Sequence, residues 1–274
     1  ENVLWFANNK DDANEEPTFK RNKSYKYVEK EVNNVRTNVG YIELANFSKH
    51  QFTGSDAKKF LNFIMAGKIP DPGRMNLSPM LSNHGKLYGD LTIGCLEEEN
   101  YYVFGSGIAQ EAHRRWFELN IDKFKVKYKN ISDNLHGISV AGPNSRKVIQ
   151  KIIREDISNQ YFQFRDIKKI FVGGVPAVVC RLSFTGELGF EIYVAPQYLL
   201  KLYEEILEAG NEFNIKPFGS RALMSLRLEK SWGAWTMDFR PDFTPLETGL
   251  DKFIDWNKNF IGKESLMNKK SDNN

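Results

Sequence analysis

Apolar residues follow two alternating periods along this chain, and the order of those periods occurs twice. Residues 1–24 show little period; from position 8 they are polar, charged and broken by Pro17, which predicts an extended connector. Tyr27, Val28, Val32, Val35 and Val39 then recur at helical spacing up to Gly40, predicting a helix ended by glycine. A strand at 48–53 leads through Gly54 to a helix that Ser55 or Asp56 can cap and that runs to Ala66. Asp71-Pro72-Gly73 reads as a turn. Strands are predicted near 74–80, 86–95 and 100–105, with Glu97-Glu98-Glu99-Asn100 at a hairpin tip. A helix near 107–119 carries Ala112, Trp116 and Phe117 inward, and a strand near 123–130 closes this half.

The second half runs in the same order. A strand at 135–141 precedes a helix at 143–154, strands near 166–172, 175–184 and 188–195, and a helix at 197–209 stopped by Gly210. A further helix near 219–231 follows, then an irregular aromatic segment at 232–243 that is expected to bury in the core, with contact to substrate or a partner as the alternative. Strand, helix, two or three strands, helix, strand is the split βαβ arrangement of ferredoxin-like units. The expected fold class is therefore α+β, with duplicated ferredoxin-like units at 25–132 and 133–265. A polar tail occupies 266–274, loose from Lys269 to Asn274.

The repetition reaches single residues. His50 to Ala57 and Gly137 to Ser145 each read as a short strand, a glycine turn and a capped helix start. Gly85-Lys86-Leu87-Tyr88-Gly89-Asp90 and Gly186-Glu187-Leu188-Gly189-Phe190-Glu191 each place a carboxylate five residues after a glycine, inside an apolar run. An ionised carboxylate in such a run is costly unless it is paired or hydrogen-bonded. One from each copy points to a ligand held near a pseudo-twofold axis.

Composition removes several classes. The chain has 274 residues, 41% hydrophobic and 27% charged, enough for one large domain or two fused halves with a core. A net charge of +3 makes no case for nucleic acid. No apolar run approaches the roughly 18 residues of a membrane span, and no signal peptide opens the chain. The opening residue, Glu1, implies a processed start or a cut from a longer protein. Cys95 and Cys180 sit in separate strand-like runs with no Cys-x-x-Cys pair, and are expected to be buried thiols in a reducing compartment.

Other candidate chemistry is sparse. His50, His84, His113 and His136 have no ligand spacing, so no metal site is expected. Phe104-Gly105-Ser106-Gly107 reads as a turn rather than a phosphate cradle, and neither a dinucleotide fingerprint nor a P-loop is present. Arg221 opens an apolar helix, where it can lie at the surface or clamp a carboxylate or polar ring. Arg227 and Glu229, two residues apart, cannot face each other on a helix and need other partners. These residues give an acidic ligand site without naming its ligand.

The ordered set Gly85 to Ile93, Ala141-Gly142-Pro143, Phe184 to Ile192, Arg221 to Glu229 and Thr244-Pro245-Leu246-Glu247-Thr248-Gly249-Leu250 resembles the aminomethyltransferase family, which includes the glycine cleavage T-protein. The likeness covers roughly residues 25–265. Leu226-Arg227-Leu228-Glu229-Lys230-Ser231-Trp232-Gly233-Ala234-Trp235 is similar to the dimethylglycine and sarcosine dehydrogenases, and Glu1 to Ala7 looks like the connector behind their flavin domain. No flavin-binding segment is present here. The chain stops after Phe260-Ile261-Gly262-Lys263-Glu264, where the family continues into a C-terminal barrel, so a fragment or one subunit of a split enzyme is expected.

The resemblance implies a folate-binding domain that passes a methylene from an oxidised N-methyl amine to tetrahydrofolate. FAD would belong to a missing domain or a partner flavoprotein subunit. By position, Asp90 matches the aspartate beside the reacting folate nitrogens, Glu191 the glutamate on the pterin edge, and Arg221 an arginine of the folate site. Phe184 and Phe47 match residues lining the pterin pocket. The T-protein carries paired aspartates where this chain has Gly89-Asp90, and the second acid is kept. Two rivals stay open: a stand-alone transferase, T-protein-like or sulfonium demethylase-like, and a non-catalytic folate-binding module. The family role places the chain in the cytoplasm, or in the mitochondrial matrix of a eukaryote, with no membrane or nucleic-acid partner.

Overall fold

The computed structural model describes residues 3–272. The predicted connector's first two residues, Glu1 and Asn2, and the tail's last two, Asn273 and Asn274, lie outside the described residues. In chain order the elements begin with α1 (Tyr25–Thr37), β1 (Gly40–Glu43), β2 (Phe47–Thr53), α2 (Ala57–Ile64), β3 (Met75–Leu81) and β4 (Leu87–Glu97). Next come β5 (Asn100–Ser106), α3 (Gln110–Ile121), β6 (Lys127–Asn130), β7 (His136–Ala141), α4 (Ser145–Ile152) and β8 (Ile167–Val172). Last are β9 (Val175–Cys180), β10 (Gly189–Val194), α5 (Leu199–Gly210), β11 (Lys216–Pro217), α6 (Ser220–Glu229), α7 (Pro245–Thr248) and α8 (Lys263–Asp272).

These elements make two compact units. One holds the described residues through Ala45 with Asn134–Trp232; the other holds Asn46–Asp133 with the described residues from Gly233 onward. The boundaries therefore differ from sequential halves at 25–132 and 133–265. Residues 25–45 join the sheet of the later half, and residues 233–265 join the unit of the earlier one.

Strand order explains the exchange. The later unit, by sequence, orders its strands β11-β1-β7-β10-β9-β8, and the earlier one β3-β4-β5-β2-β6. Matching β2 with β7 pairs β5 with β10 and β4 with β9, so β1 stands where β6 stands. In the first half, the chain after α3 returns as β6 to pair with β2. After α5 it returns only as Lys216–Pro217, parallel to β1 at the sheet edge, because Pro217 lacks the N–H that an interior ladder needs. The segment at Gly40, expected only to end a helix, supplies the missing strand instead. Its lack of a side chain is required: a Cβ there would lie 2.8 Å from both Phe218 and Val35.

In each unit a pair of helices covers one face of the sheet. In α2, Ala57, Phe60, Leu61 and Ile64 recur at positions that bury one stripe, and they meet Phe52, Leu91, Ile93 and Phe117. In the other unit, Val148 and Ile149 of α4 and Leu202 and Ile206 of α5 cover Ile138, Val140, Phe190 and Ile192. At roughly 1.5–3 kcal/mol per buried large apolar side chain, these two clusters dominate the stability of their units. On α3 the inward positions are His113 and Phe117, while Ala112 is exposed and Trp116 half-buried. The helix begins only at Gln110, after a 3-10 turn, which rotates the buried stripe by one position.

The matched glycine turns are real, and the caps are not. Gly54 and Gly142 take φ of +123° and +129°, and a Cβ would meet Lys125 O at 2.6 Å and Asn38 O at 2.4 Å. Asp56 and Asn144 occupy the N-cap positions without bonding their own helices. Asp56 instead accepts from Lys125 N at 2.8 Å, and Asn144 donates to Asn38 Oδ1 at 2.9 Å. In both units this fastens the approach to the strand beside β2 or β7. Gly142→Ala is expected to cost about 2–3 kcal/mol in urea unfolding, from strain plus the carbonyl clash. Gly174→Ala, at φ +81° with nothing within 4 Å, should cost clearly less.

Several other expectations change. Residues 8–24 form neither helix nor strand, yet they are strapped to α1: Asp12 accepts from Tyr27 Oη at 2.6 Å and from Lys26 Nζ at 2.9 Å, and its carbonyl accepts from Trp5 at 3.0 Å. Phe104, Gly105 and Ser106 continue β5 rather than turning. The strand expected near 175–184 ends at Cys180, and the one near 123–130 starts at Lys127. In the 232–243 segment Phe239 is buried, but Trp235 is half-buried and Met237 exposed. Lys269, expected in a loose tail, lies in α8 and donates to His84 O at 3.0 Å.

Candidate functional site

The two predicted acids lie on the same kind of surface but on strands that do not correspond. In β4, Leu91, Ile93 and Cys95 point to the helices, so alternation puts Asp90 and Thr92 on the opposite face. In β10, Phe190, Ile192 and Val194 point to α4 and α5, so Glu191 and Tyr193 face away from them. Thr53, before Gly54, pairs with Asn100, and Ala141, before Gly142, pairs with Gly189. Two residues further along the partner strands stand Tyr102 and Glu191. Glu191 is thus the counterpart of Tyr102, and Asp90 sits one strand over on β4. The matching Gly-to-acid motifs are a likeness of local sequence, not equivalent places in the duplication.

Asp90 lies opposite Pro79 of β3 and is half-buried. Burial pushes its carboxyl up from the ordinary 3.8 to about 7, against a smaller lowering by its own backbone hydrogen bond. A carboxyl poised there can take up or release a proton near neutral pH. Phe47, in the same unit, is half-buried at the start of β2 opposite Ser106.

Glu191 lies between Ser139 of β7 and Cys180 of β9. Its Oε2 accepts from the hydroxyl of Tyr193 at 2.7 Å. Burial, reinforced by the Glu191 charge, pushes the Cys180 thiol and the Tyr193 phenol well above their usual values. Desolvation lowers the ammonium of Lys230, and the Glu191 charge partly restores it. Lys230 donates to Ser183 O at 2.8 Å and lies 5.2 Å from the Trp232 ring. Phe184 is half-buried against Val35, Ala141, Phe218 and Leu226, the cluster where α6 meets this face of the sheet.

Arg221 belongs to the same unit as Glu191, and its guanidinium is engaged by the chain itself. It pairs with Glu15, donates to Ser24 Oγ at 3.1 Å and stands 5.0 Å from the Trp5 ring. Arg227 and Glu229 have the separate partners that their spacing requires: Arg227 donates to Trp232 O at 2.9 Å, and Glu229 pairs with Arg36. Arg36 also holds Glu187 at 3.0 Å, tying the turn before β10 to the end of α6. Sequence reasoning missed Tyr193 and Lys230. The i,i+2 spacing of Glu191 and Tyr193 on a strand was the available signal for the first.

Two histidines that the sequence treated as scattered come together. His50 and His113 are buried with ring centroids 6.4 Å apart; His50 Nδ1 meets Tyr128 Oη at 2.9 Å and His113 Nε2 meets Tyr88 O at 3.0 Å. Burial drives His50 down to about 3, with His113 adding to it, and drives His113 down to about 4. Because the folded values lie below the ordinary 6.5, the stability they confer is full above that pH and is lost as pH falls toward 4 and then 3. The two histidines should together contribute a loss on the order of 5 kcal/mol to urea unfolding between pH 6.5 and 4, and His50→Gln should flatten the acid slope relative to the wild type. An unchanged slope in the variant would contradict the assignment. Among the described residues no group of His, Cys, Asp and Glu could hold a metal ion, and both cysteines are free and buried. Among the same residues no helix is long and apolar enough to cross a membrane.

The GCVT N-terminal domain family matches residues 1–258, and the chain belongs to that family. The human mitochondrial dimethylglycine dehydrogenase is 37% identical over 267 residues, which is 96% of this chain and 31% of that protein. An aminomethyltransferase of Caldanaerobacter subterraneus subsp. tengcongensis is 32% identical over 241 residues, 86% of this chain and 64% of that protein. The chain thus spans about a third of its dehydrogenase relatives. The solved aminomethyltransferase T of the glycine cleavage system from Bartonella henselae shares the fold, with a TM-score of 0.80 over 90% of this chain and 67% of that one, at 20% identity. A heterotetrameric sarcosine oxidase from Corynebacterium sp. U-96 matches at a TM-score of 0.54 and 13% identity, over 72% of this chain and 97% of that one.

Proposed function

We propose that this chain is a tetrahydrofolate-dependent one-carbon transfer module, taking a methylene from an oxidised N-methyl amine of the dimethylglycine or sarcosine type. The family supports a transferase of this class, and the dehydrogenase relatives favour an amine donor. The observation that carries the reading is Asp90, a strand carboxyl whose proton is balanced at about 7. A scaffold gains nothing from such a group, whereas proton handling during transfer needs it.

Bound tetrahydrofolate supplies the nucleophilic nitrogens that accept the one-carbon unit. The chain's own residues bind, orient and move protons. The Glu191 carboxylate, anchored by Tyr193, is suited to accept two adjacent N–H donors from the edge of a pterin ring. Asp90 as carboxylate would stabilise the cationic donor, and as base it would take up the proton released when the new carbon–nitrogen bond forms. Phe184, in the same unit as Glu191, offers a half-buried aromatic face to the ring. Arg221 already holds the carboxylate of Glu15, so a ligand carboxylate would have to exchange with it. Flavin oxidation of the amine is assigned to another domain or a partner flavoprotein, because this chain carries no dinucleotide fingerprint. Such a role fits the cytoplasm or a mitochondrial matrix.

Calorimetric titration of the full chain with tetrahydrofolate tests the reading directly. Binding is expected, and its absence would remove the folate assignment. A stand-alone aminomethyltransferase would transfer its methylene with no flavoprotein added, whereas the favoured reading requires the oxidase activity. A purely folate-binding module would show no transfer under either condition.

A further inference from the structure

The proposed ligand grip depends on one carboxylate, and a carboxylate on a strand is useful only if its rotamer and charge are fixed. Tyr193 is placed to fix both. Its side chain shares the Glu191 face of β10, it is 2% exposed, and its hydroxyl donates to Glu191 Oε2 at 2.7 Å. The ring is seated by a glycine on the neighbouring strand. Tyr193 pairs directly with Gly137 of β7, and a Cβ on residue 137 would come within 2.6 Å of its Cδ1 and 2.9 Å of its Cε1. A phenol donor to a carboxylate is a short, charge-assisted hydrogen bond, and inside a protein it favours the ionised acceptor.

We propose that Tyr193 is a positioning residue: seated over Gly137, its hydroxyl holds the Glu191 carboxylate in the orientation and ionised state that grip the ligand. This rests on the folate reading above. The groups that face Glu191 include Tyr193 on its own strand, Ser139 on β7, Cys180 on β9 and Lys230 beyond α6. Cys180 is a buried thiol whose titration is pushed well above its usual range, so it stays neutral across the working range. Lys230 favours the carboxylate by charge but is tied to Ser183 O and the Trp232 ring, so it does not set the carboxylate's orientation. The Tyr193 hydroxyl, bonded to the carboxylate at 2.7 Å and held by its seated ring, is the group assigned to set both.

The test is calorimetric titration with tetrahydrofolate from pH 5 to 8, on the wild type, Tyr193→Phe, Gly137→Ala and Glu191→Ala, with thermal unfolding alongside. Tyr193→Phe removes one hydroxyl and keeps the packed ring. It is expected to weaken binding about tenfold near neutral pH, as for loss of one hydrogen bond to a charged acceptor, and to move the acid limb of the binding profile to higher pH. Gly137→Ala, which keeps the hydroxyl but displaces the ring, should shift binding in the same direction. If Glu191→Ala loses binding while Tyr193→Phe matches the wild type in affinity and pH profile, the positioning role is overturned and the folate reading stands. If Glu191→Ala binds as the wild type does, the folate reading itself falls. A Gly137→Ala protein that binds normally would likewise overturn the role of the seated ring.

Discussion

Glu191→Ala is expected to reduce tetrahydrofolate affinity by a factor of about 10² to 10⁴. The carboxylate is proposed to accept two N–H donors from the ligand, and hydrogen bonds to a charged acceptor are worth about 1.5–3 kcal/mol each. Losing both therefore removes roughly 3–6 kcal/mol, before the ligand's own unpaired donors are counted. The fold should survive, because Glu191 is half-buried on the face away from α4 and α5. A smaller structural cost is expected from leaving the buried Tyr193 hydroxyl without this acceptor, about 1–3 kcal/mol. Glu191→Gln separates the two effects: it retains an acceptor for Tyr193 but loses the charge, so stability should recover while affinity stays low. Calorimetry with denaturant unfolding on all three proteins reads both quantities, and normal binding by either variant would refute the ligand assignment.

Asp90→Asn should spare binding and reduce methylene transfer by 10²-fold or more, the usual range for loss of a positioned general acid or base. The rate is read as methylene transfer to tetrahydrofolate from dimethylglycine, with the flavoprotein that oxidises the amine present. A second signature does not depend on the substrate. The folded carboxyl titrates at about 7 against an ordinary 3.8, so the folded state holds this proton more tightly than the unfolded chain does. The stability this confers is full below about 3.8 and is lost as pH rises to about 7. Above that, the wild type carries a penalty of at most about 4 kcal/mol, smaller where water reaches the half-buried side chain. Asparagine has no charge to desolvate. The variant should therefore be more stable than the wild type at pH 8 and no more stable at pH 4 in urea titrations. Equal stability at both pH values would mean that Asp90 is not desolvated, and unchanged transfer would remove it from the chemistry.

The two variants separate roles that the sequence presented as a matched pair. Local spelling made Asp90 and Glu191 look like one position copied twice. Pairing registers instead put Glu191 opposite Tyr102 in the duplication, with Asp90 a strand away. Both motifs join a glycine turn to a half-buried strand, and that shared local need produced similar strings on strands with different neighbours. A period of two fixes which face a side chain takes; it does not say which strand lies alongside.

The sequence by itself determined the α+β class, the order of most strands and helices, and the family. Those follow from periodicity and turn chemistry, which act over a few residues. It also determined the tight glycine turns at Gly54 and Gly142, because their backbone angle admits little else. Tertiary structure decided what depends on distant partners. β1 was recruited from before the first half into the second unit's sheet, since Pro217 shortens the strand that would have filled that place. The N-cap side chains turned outward to Lys125 and Asn38, and Arg221 was closed by Glu15. His50 met His113, and Tyr193 settled over Gly137. Each of these is a contact between residues far apart in the chain, chosen by burial and hydrogen-bond satisfaction after the elements had formed, and no local pattern encodes it.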